Sequence, residues 1–439
     1  MKFNLYLLFS LIILASYSCK KKPGPTPEQE CTPATINEVI VEEAKLDENI
    51  SAAIPHVYIT TEGGADIVSK DDYLTGTVKI EGNGVNTDLA LVPMTIKGRG
   101  NSTWKYSNGD LKPKRPYKIK LDKKASIFGL TAAKEWVLLA NYQDYTFMTN
   151  AVAMKIGQQL GMPYTNTIIP VDVTLNGTYM GNYNLTQQIE IKEGRVEVGD
   201  DGVLLEMDTN YDEDWKFTST GYKLPVMVKE PDIETDAQFN TIKQEFLNFE
   251  ALLKRADFPK NNYGDYFDKQ QLVNYLIVCN LTANLEIKHP KSVYIHKTKN
   301  GKYTMGPIWD FDWGFGLDDA RKYFTYPADD PFFKTNETRL GGVFFNRFLS
   351  DPEIRSLYKA TWTNYKNNKF PELLNYIEQY AATIRESQVK DLARWKPDRW
   401  HYETEWAPFA ANFPQIKKEL KTYIRQRANY ITSYVNCLQ

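Results

Sequence analysis

"GPIWDFDWGFG", Gly306–Gly316, is the stretch on which the reading of this chain turns. Acid and aromatic alternate, and in an extended strand residues two apart share a face. That pattern predicts a strand with Asp310 and Asp312 on one side and Trp309, Phe311 and Trp313 on the other. The aromatic side anchors the strand in a core. The acidic side offers hard oxygen ligands of the kind Mg²⁺ takes. Two neighbouring carboxylates repel, so a cation belongs there or an unusual partner satisfies both.

Upstream, "ANLEIKHPKSVYIHK" (Ala283–Lys297) leaves a helix, crosses a polar loop and enters a strand, placing Glu286 24 residues before Asp310. One acid near an acceptor hydroxyl and another holding a metal is the division of labour in phosphoryl transfer. "KRPYKIKLD" (Lys114–Asp122) alternates, so Lys118 and Lys120 share the face opposite Tyr117, Ile119 and Leu121. Two like charges on one strand face call for an anion nearby or a solvated surface. "KGRGNSTW" (Lys97–Trp104) sets Arg99 between two glycines. It reads either as an anion cradle with a guanidinium fork or as a tight turn with structural glycines.

Strand patterns run through "INEVIVEE", "HVYITT", "GTVKIEG", "LVPMTIKG" and "PYKIKLD", and again through "IIPVDVTLNGTYMGNYNLTQQIE", "GVLLEMD" and "LPVMVKE". Residues 144–160 suit a helix ending at Gly161. From Asp236 the spacing of Phe239, Ile242, Phe246, Phe249 and Leu253 is helical, and "FDKQQLVNYLIVCNLTAN" predicts a second such helix. After a hairpin carrying the acidic pair, the chain beyond about residue 340 is helical. The fold class expected is α+β, sheet-rich in residues 37–234 and helix-rich in residues 235–439.

The first residues have a different character. Lys2, the apolar run Leu5–Ala15 and "SYSCKKK" describe an export signal over residues 1–18. Ser18–Cys19 resembles a bacterial lipoprotein cleavage site, with Cys19 lipidated, residues 19–36 a polar tether and the membrane a partner through that anchor. In an oxidising compartment Cys31 and Cys437 are free to pair, while Cys279 sits in an apolar helical run. Lys plus Arg (53) nearly balances Asp plus Glu (55), so no basic stripe suggests nucleic acid. The four histidines lack zinc-ligand spacing. A monomer is expected.

"IKGRGNSTW", "KRPYKIKLDKK", "EWVLLANYQDYT", "LNGTYMGNYNLTQQIE", "GRV" and "GPIWDFDWGFG" occur in the order seen in the CotH family, the spore-coat-protein-H-like atypical protein kinases, which the chain resembles over roughly residues 55–360. The resemblance implies a divergent protein-kinase-like fold that binds ATP with Mg²⁺ or Mn²⁺ and phosphorylates serine on extracytoplasmic proteins. It implies that Asp310 is the metal-binding acid of a D-F-D motif and that Lys118 or Lys120 meets the nucleotide phosphates. It also puts Ser292 where relatives carry Ser or Asn near the metal. Three positions depart from the pattern: Glu286 where many relatives have Asp, Gln187 where Glu is usual, and Thr149 where Arg is common. An active kinase and a lipid-tethered, catalytically impaired scaffold are therefore the two expectations carried forward.

Overall fold

The computed structural model describes residues 53–106, 108–318, 322–399 and 412–438. Cys19, Cys31, the export signal, the tether and the strand expected at "INEVIVEE" lie outside them. Cys437 is disulfide-bonded, with its partner outside the described residues, and Cys279 is a buried free thiol.

Seven strands close into a barrel: β1 (His56–Thr61), β2 (Leu74–Glu81), β3 (Leu89–Gly98), β4 (Tyr117–Ala125), β5 (Ala133–Leu139), β6 (Ile169–Leu175) and β7 (Thr178–Gln187). Their order is β1-β2-β3-β4-β5-β7-β6, and β6 closes the ring by pairing parallel with β1, Val57 opposite Val173. Alternation sends Val57, Ile59, Ile96, Tyr117, Ile119 and Tyr183 inward to one apolar cluster, capped by Trp104. Gly98 is required at that cap, because a Cβ there would lie 2.1 Å from the Trp104 ring.

A second sheet has the order β12-β11-β8-β10-β9, from β8 (Val203–Met207), β9 (Lys216–Thr218), β10 (Pro225–Glu230), β11 (Val293–Lys297) and β12 (Thr304–Met305). Helices pack around it: α1 (Thr149–Gln159), α2 (Asp236–Lys254), α3 (Lys269–Leu281), α4 (Leu340–Phe348), α5 (Pro352–Asn368), α6 (Phe370–Arg399) and α7 (Phe413–Cys437). Strands β8 and β10 share the core of these helices, and so does α1, which lies between β5 and β6, so the two cores interleave along the chain instead of dividing at Asp236, where the sequence pattern changes. Among the described residues no helix is long and apolar enough to cross a membrane.

Helix α6 straps the barrel to the helical half. Lys114 before β4 and Asp391 on α6 form an ion pair with no exposed surface, and Asp391 also accepts the Asn182 backbone N–H at 2.8 Å. Gly181 makes room for it, since a Cβ would meet the Asp391 carboxylate at 2.2 Å.

The expected helix over 144–160 begins at Thr149 instead. Asp144 caps it: one carboxylate oxygen accepts from Thr146 N and Oγ1 at 2.8 and 2.6 Å, the other from Thr149 N and Oγ1 at 3.0 and 2.7 Å. The expected strand through the acidic pair is corrected outright. Strand β12 ends at Met305, Pro307 has no N–H to continue a ladder, and Asp310 adopts a left-handed φ of 63°. Residues 306–316 form a folded turn in which Trp309, Phe311 and Asp312 are all buried. The backbone polarity a strand would have used is met locally. Phe311 N–H donates to Asn150 Oδ1 on α1 at 2.9 Å, and the Tyr323 hydroxyl donates to the Asp312 carbonyl.

Candidate active site

The folded turn gathers acids more closely than a strand would. Asp312 is 8 % exposed, and its Oδ1 is buried with no hydrogen-bond partner. Its carboxyl is pushed well above the ordinary range, first by burial, then by the charge of Asp310 and a hydrogen bond with it, then by the charges of Glu286 and Asp144. Four acids thus share one electrostatic environment. Asp144 is already committed to four donors as a helix cap, which leaves Glu286, Asp310 and Asp312 as the acids facing chemistry.

Glu286 is buried in a single 3-10 turn, Leu285–Lys288, whose entry is capped by Asn284 Oδ1 accepting the Glu286 N–H at 3.1 Å. Ser292 adopts a φ of 50° just before β11 and donates its N–H to Asp208 Oδ2 at 2.9 Å. Its backbone is therefore tied to Asp208, at the end of β8, rather than to Asp310.

Arg99 supplies a positive charge at the turn. Its guanidinium lies over the Trp309 ring at 5.2 Å, next to Asp310. Burial lowers its pKa, and the charges of Asp310, Tyr294 and Glu206 oppose that shift. Lys118 and Lys120 are placed differently. Lys118 sits opposite Lys97 on β3 and Val137 on β5, its pKa lowered by burial against the fields of Glu190 and Glu135. Lys120 is 3.8 Å from Glu135 and half exposed. The anions that the lysine pair called for are thus carboxylates of the chain itself. The structure joins Arg99, Glu286, Asp310 and Asp312, and puts Lys118 and Lys120 on the adjoining barrel wall with Glu135 and Glu190.

Four further residues escaped the sequence reading. Glu206, opposite Tyr294 across β8 and β11, is 7 % exposed and pushed up to about 7 by burial, with Lys229 at 3.4 Å drawing it back down. A lone acid inside the apolar strand "GVLLEMD" was the available signal. Glu190 and Arg195 are both buried in the loop after β7, where the motif "GRV" contains the arginine. Asp144 was legible as a D-x-T cap.

Among the described residues no three His, Cys, Asp or Glu side chains gather closely enough to hold a metal by themselves. The donor set nonetheless fits Mg²⁺, which takes one or two carboxylates and completes its shell with phosphate and water oxygens. The orphaned Asp312 Oδ1 is a ready ligand, and Asp310 stands beside it.

The sequence model of the CotH kinase protein family matches residues 96–431, most of the chain, so the chain belongs to the CotH kinase family. That span begins in β3 and ends in α7, taking in Arg99, Glu286, Ser292 and both aspartates. A search of curated proteins found no match.

Proposed function

We propose that the chain is an atypical protein kinase of divergent kinase-like fold. It transfers the γ-phosphate of ATP to a serine or threonine hydroxyl of an extracytoplasmic protein, and it is held at the cell envelope by lipid on Cys19. The observation that carries this reading is the buried, under-neutralised carboxylate set of Asp310, Asp312 and Glu286, with Arg99 beside it. Such a set is completed by a divalent cation, which phosphoryl transfer uses to carry the triphosphate.

When bound, Mg²⁺ would supply charge neutralisation for the transferred group. Asp310 and Asp312 would hold it, with Ser292, whose N–H is tied to Asp208, as the further candidate ligand. Arg99 is placed to fork onto phosphate oxygens, and Lys118 and Lys120 line the wall beyond. Glu286 would orient the acceptor hydroxyl and take its proton. The Trp309, Phe311 and Phe315 packing behind the turn holds the acids in place and excludes water from one side.

The test is thermal unfolding with ATP and Mg²⁺ or Mn²⁺, comparing the wild type with Asp310→Ala, followed by labelled phosphate transfer. A nucleotide-induced rise in melting temperature that disappears in the variant supports the site. No response in either protein removes it. Thr149 favours a second reading, the impaired scaffold. Where relatives are expected to bring an arginine, this side chain hydrogen-bonds Asp144 and adds no charge near the phosphates. Nucleotide binding without transfer to any extracytoplasmic protein offered would select the scaffold.

A further inference from the structure

The 3-10 turn that carries Glu286 is gripped at both ends. At its entry, the Thr282 carbonyl accepts the Phe315 N–H from the acidic turn. At its exit, Lys288 Nζ lies over the Phe332 ring at 5.0 Å and 3.5 Å from Glu337 Oε2, the lysine and glutamate side chains being 3 % and 5 % exposed. Burial lowers the Lys288 pKa to about 8, with Arg339 pushing the same way and Glu337 opposing, so the amine keeps its charge at neutral pH. Glu337 belongs to the segment that leads from the acidic turn to α4. The start of α4 closes the grip. A Cβ on Gly341 would lie 2.0 Å from the Ile287 carbonyl oxygen, and one on Gly342 would lie 2.3 Å from Glu337 Cγ.

Glu337 does not depend on the lysine. Its Oε1 accepts from Arg339 Nε at 2.8 Å and from the N–H groups of Thr338 and Arg339 at 3.1 Å each, and its Oε2 accepts from Arg339 Nη2 at 2.7 Å. Lys288 meets that fixed carboxylate through an ion pair longer than a good hydrogen bond. A buried ammonium held in this way adds little stability over an apolar side chain of the same length. What the pair fixes is place: it pins the last residue of the turn, two positions from Glu286, to a carboxylate locked on its own segment. We propose that Lys288 and Glu337 are a positioning pair for Glu286, holding the turn so that its carboxylate stays in the field of Asp312. The proposal rests on the reading above, in which Glu286 orients the acceptor hydroxyl. Lys288, turned to Phe332 and Glu337, acts through the turn and not on the reacting groups.

Hydrogen exchange and phosphate transfer on the full chain test it, comparing the wild type with Lys288→Met and Lys288→Arg, with ATP and Mg²⁺ and with dephosphorylated casein as the acceptor. Lys288→Met should melt where the wild type does and keep its nucleotide-induced shift and its KM for ATP. The amides of Leu285–Lys288 should exchange about tenfold faster, and kcat should fall about tenfold or more, the scale of a small displacement in a position-dependent step. Lys288→Arg keeps the charge and should restore most of both. If Lys288→Met does not fold, Glu337→Gln, near-isosteric and without the charge facing Lys288, decides by the same measurements. Unchanged exchange in the turn, or a loosened turn with kcat intact, overturns the positioning pair and leaves the kinase reading standing. A lower melting temperature with kcat and KM both impaired marks a general loosening and overturns it too. A wild type that transfers no phosphate removes the role proposed for Glu286, and that of the pair with it, whatever the exchange shows.

Discussion

Replacing Glu206 with glutamine should change how stability depends on pH, by an amount the structure sets. In the native chain burial holds the Glu206 proton up to about pH 7, whereas an ordinary glutamate releases it near 4.5. Below the lower value both states are protonated and there is no pH effect. Between the two, the native state keeps a proton that the unfolded state has lost, so stability falls as pH rises and the contribution is gone above pH 7. At 1.36 kcal/mol per pH unit, that gap is worth roughly 3 kcal/mol. A glutamine side chain cannot ionise, so the Glu206→Gln variant loses this dependence. Lys229 keeps Glu213 as a partner, so its own contribution stays nearly constant across the window. Urea midpoints of wild type and Glu206→Gln at pH 4.5, 6 and 8 should therefore diverge, the variant gaining on the wild type by roughly 3 kcal/mol between the ends. Curves that stay parallel would refute the reasoning, because they mean that Lys229 keeps Glu206 ionised throughout.

Two other substitutions probe the frame around the site. Gly98→Ala forces the Trp104 ring aside and should cost about 1–3 kcal/mol in urea unfolding. It should also weaken any nucleotide-induced thermal shift, since Arg99 is the next residue. Arg427 on α7 is buried and donates to the carbonyls of Asn280, Ala328 and Asp330, tying the end of α3 to the segment after the acidic turn. A lysine cannot fork to all three, so Arg427→Lys should lower stability by about 3 kcal/mol in the same assay.

Local pattern carried the sequence reading where the structure is local. Strands β1 to β4, β6 to β8 and β10 lie where alternation and turn residues put them, and so do α2 and α3. Barrel closure was not legible, because the pairing of β1 with β6 joins residues more than a hundred positions apart and leaves no local mark. Strand β5 stood out only as part of a family motif, since "AKEWVLL" reads as mixed polarity until its partners β4 and β7 are known. The acidic turn deceived the period-two test because its aromatics are buried by a coiled path, and Pro307 was the signal against a strand. Convergence of Glu286 with the aspartates follows from β11 feeding the turn through β12. The neutralising of Lys118 and Lys120 by Glu135 and Glu190 depends on tertiary packing, and no spacing announces it.

Glu286 separates the two functional readings, because they demand opposite responses to one methylene. Its carboxylate reaches the field of Asp312 from a turn whose entry Asn284 caps. If this acid orients an acceptor hydroxyl, Glu286→Asp draws it back by roughly 1 Å, and a displacement of that size costs on the order of a hundredfold in a position-dependent step. If instead the longer acid reflects lost catalysis, the family's shorter acid should raise transfer or leave it at background. The kinase reading predicts the loss, measured as labelled phosphate transfer under saturating ATP and Mg²⁺, with the nucleotide-induced thermal shift retained as proof that the site still forms. A gain in transfer on shortening the side chain would show that the turn was never set for the glutamate.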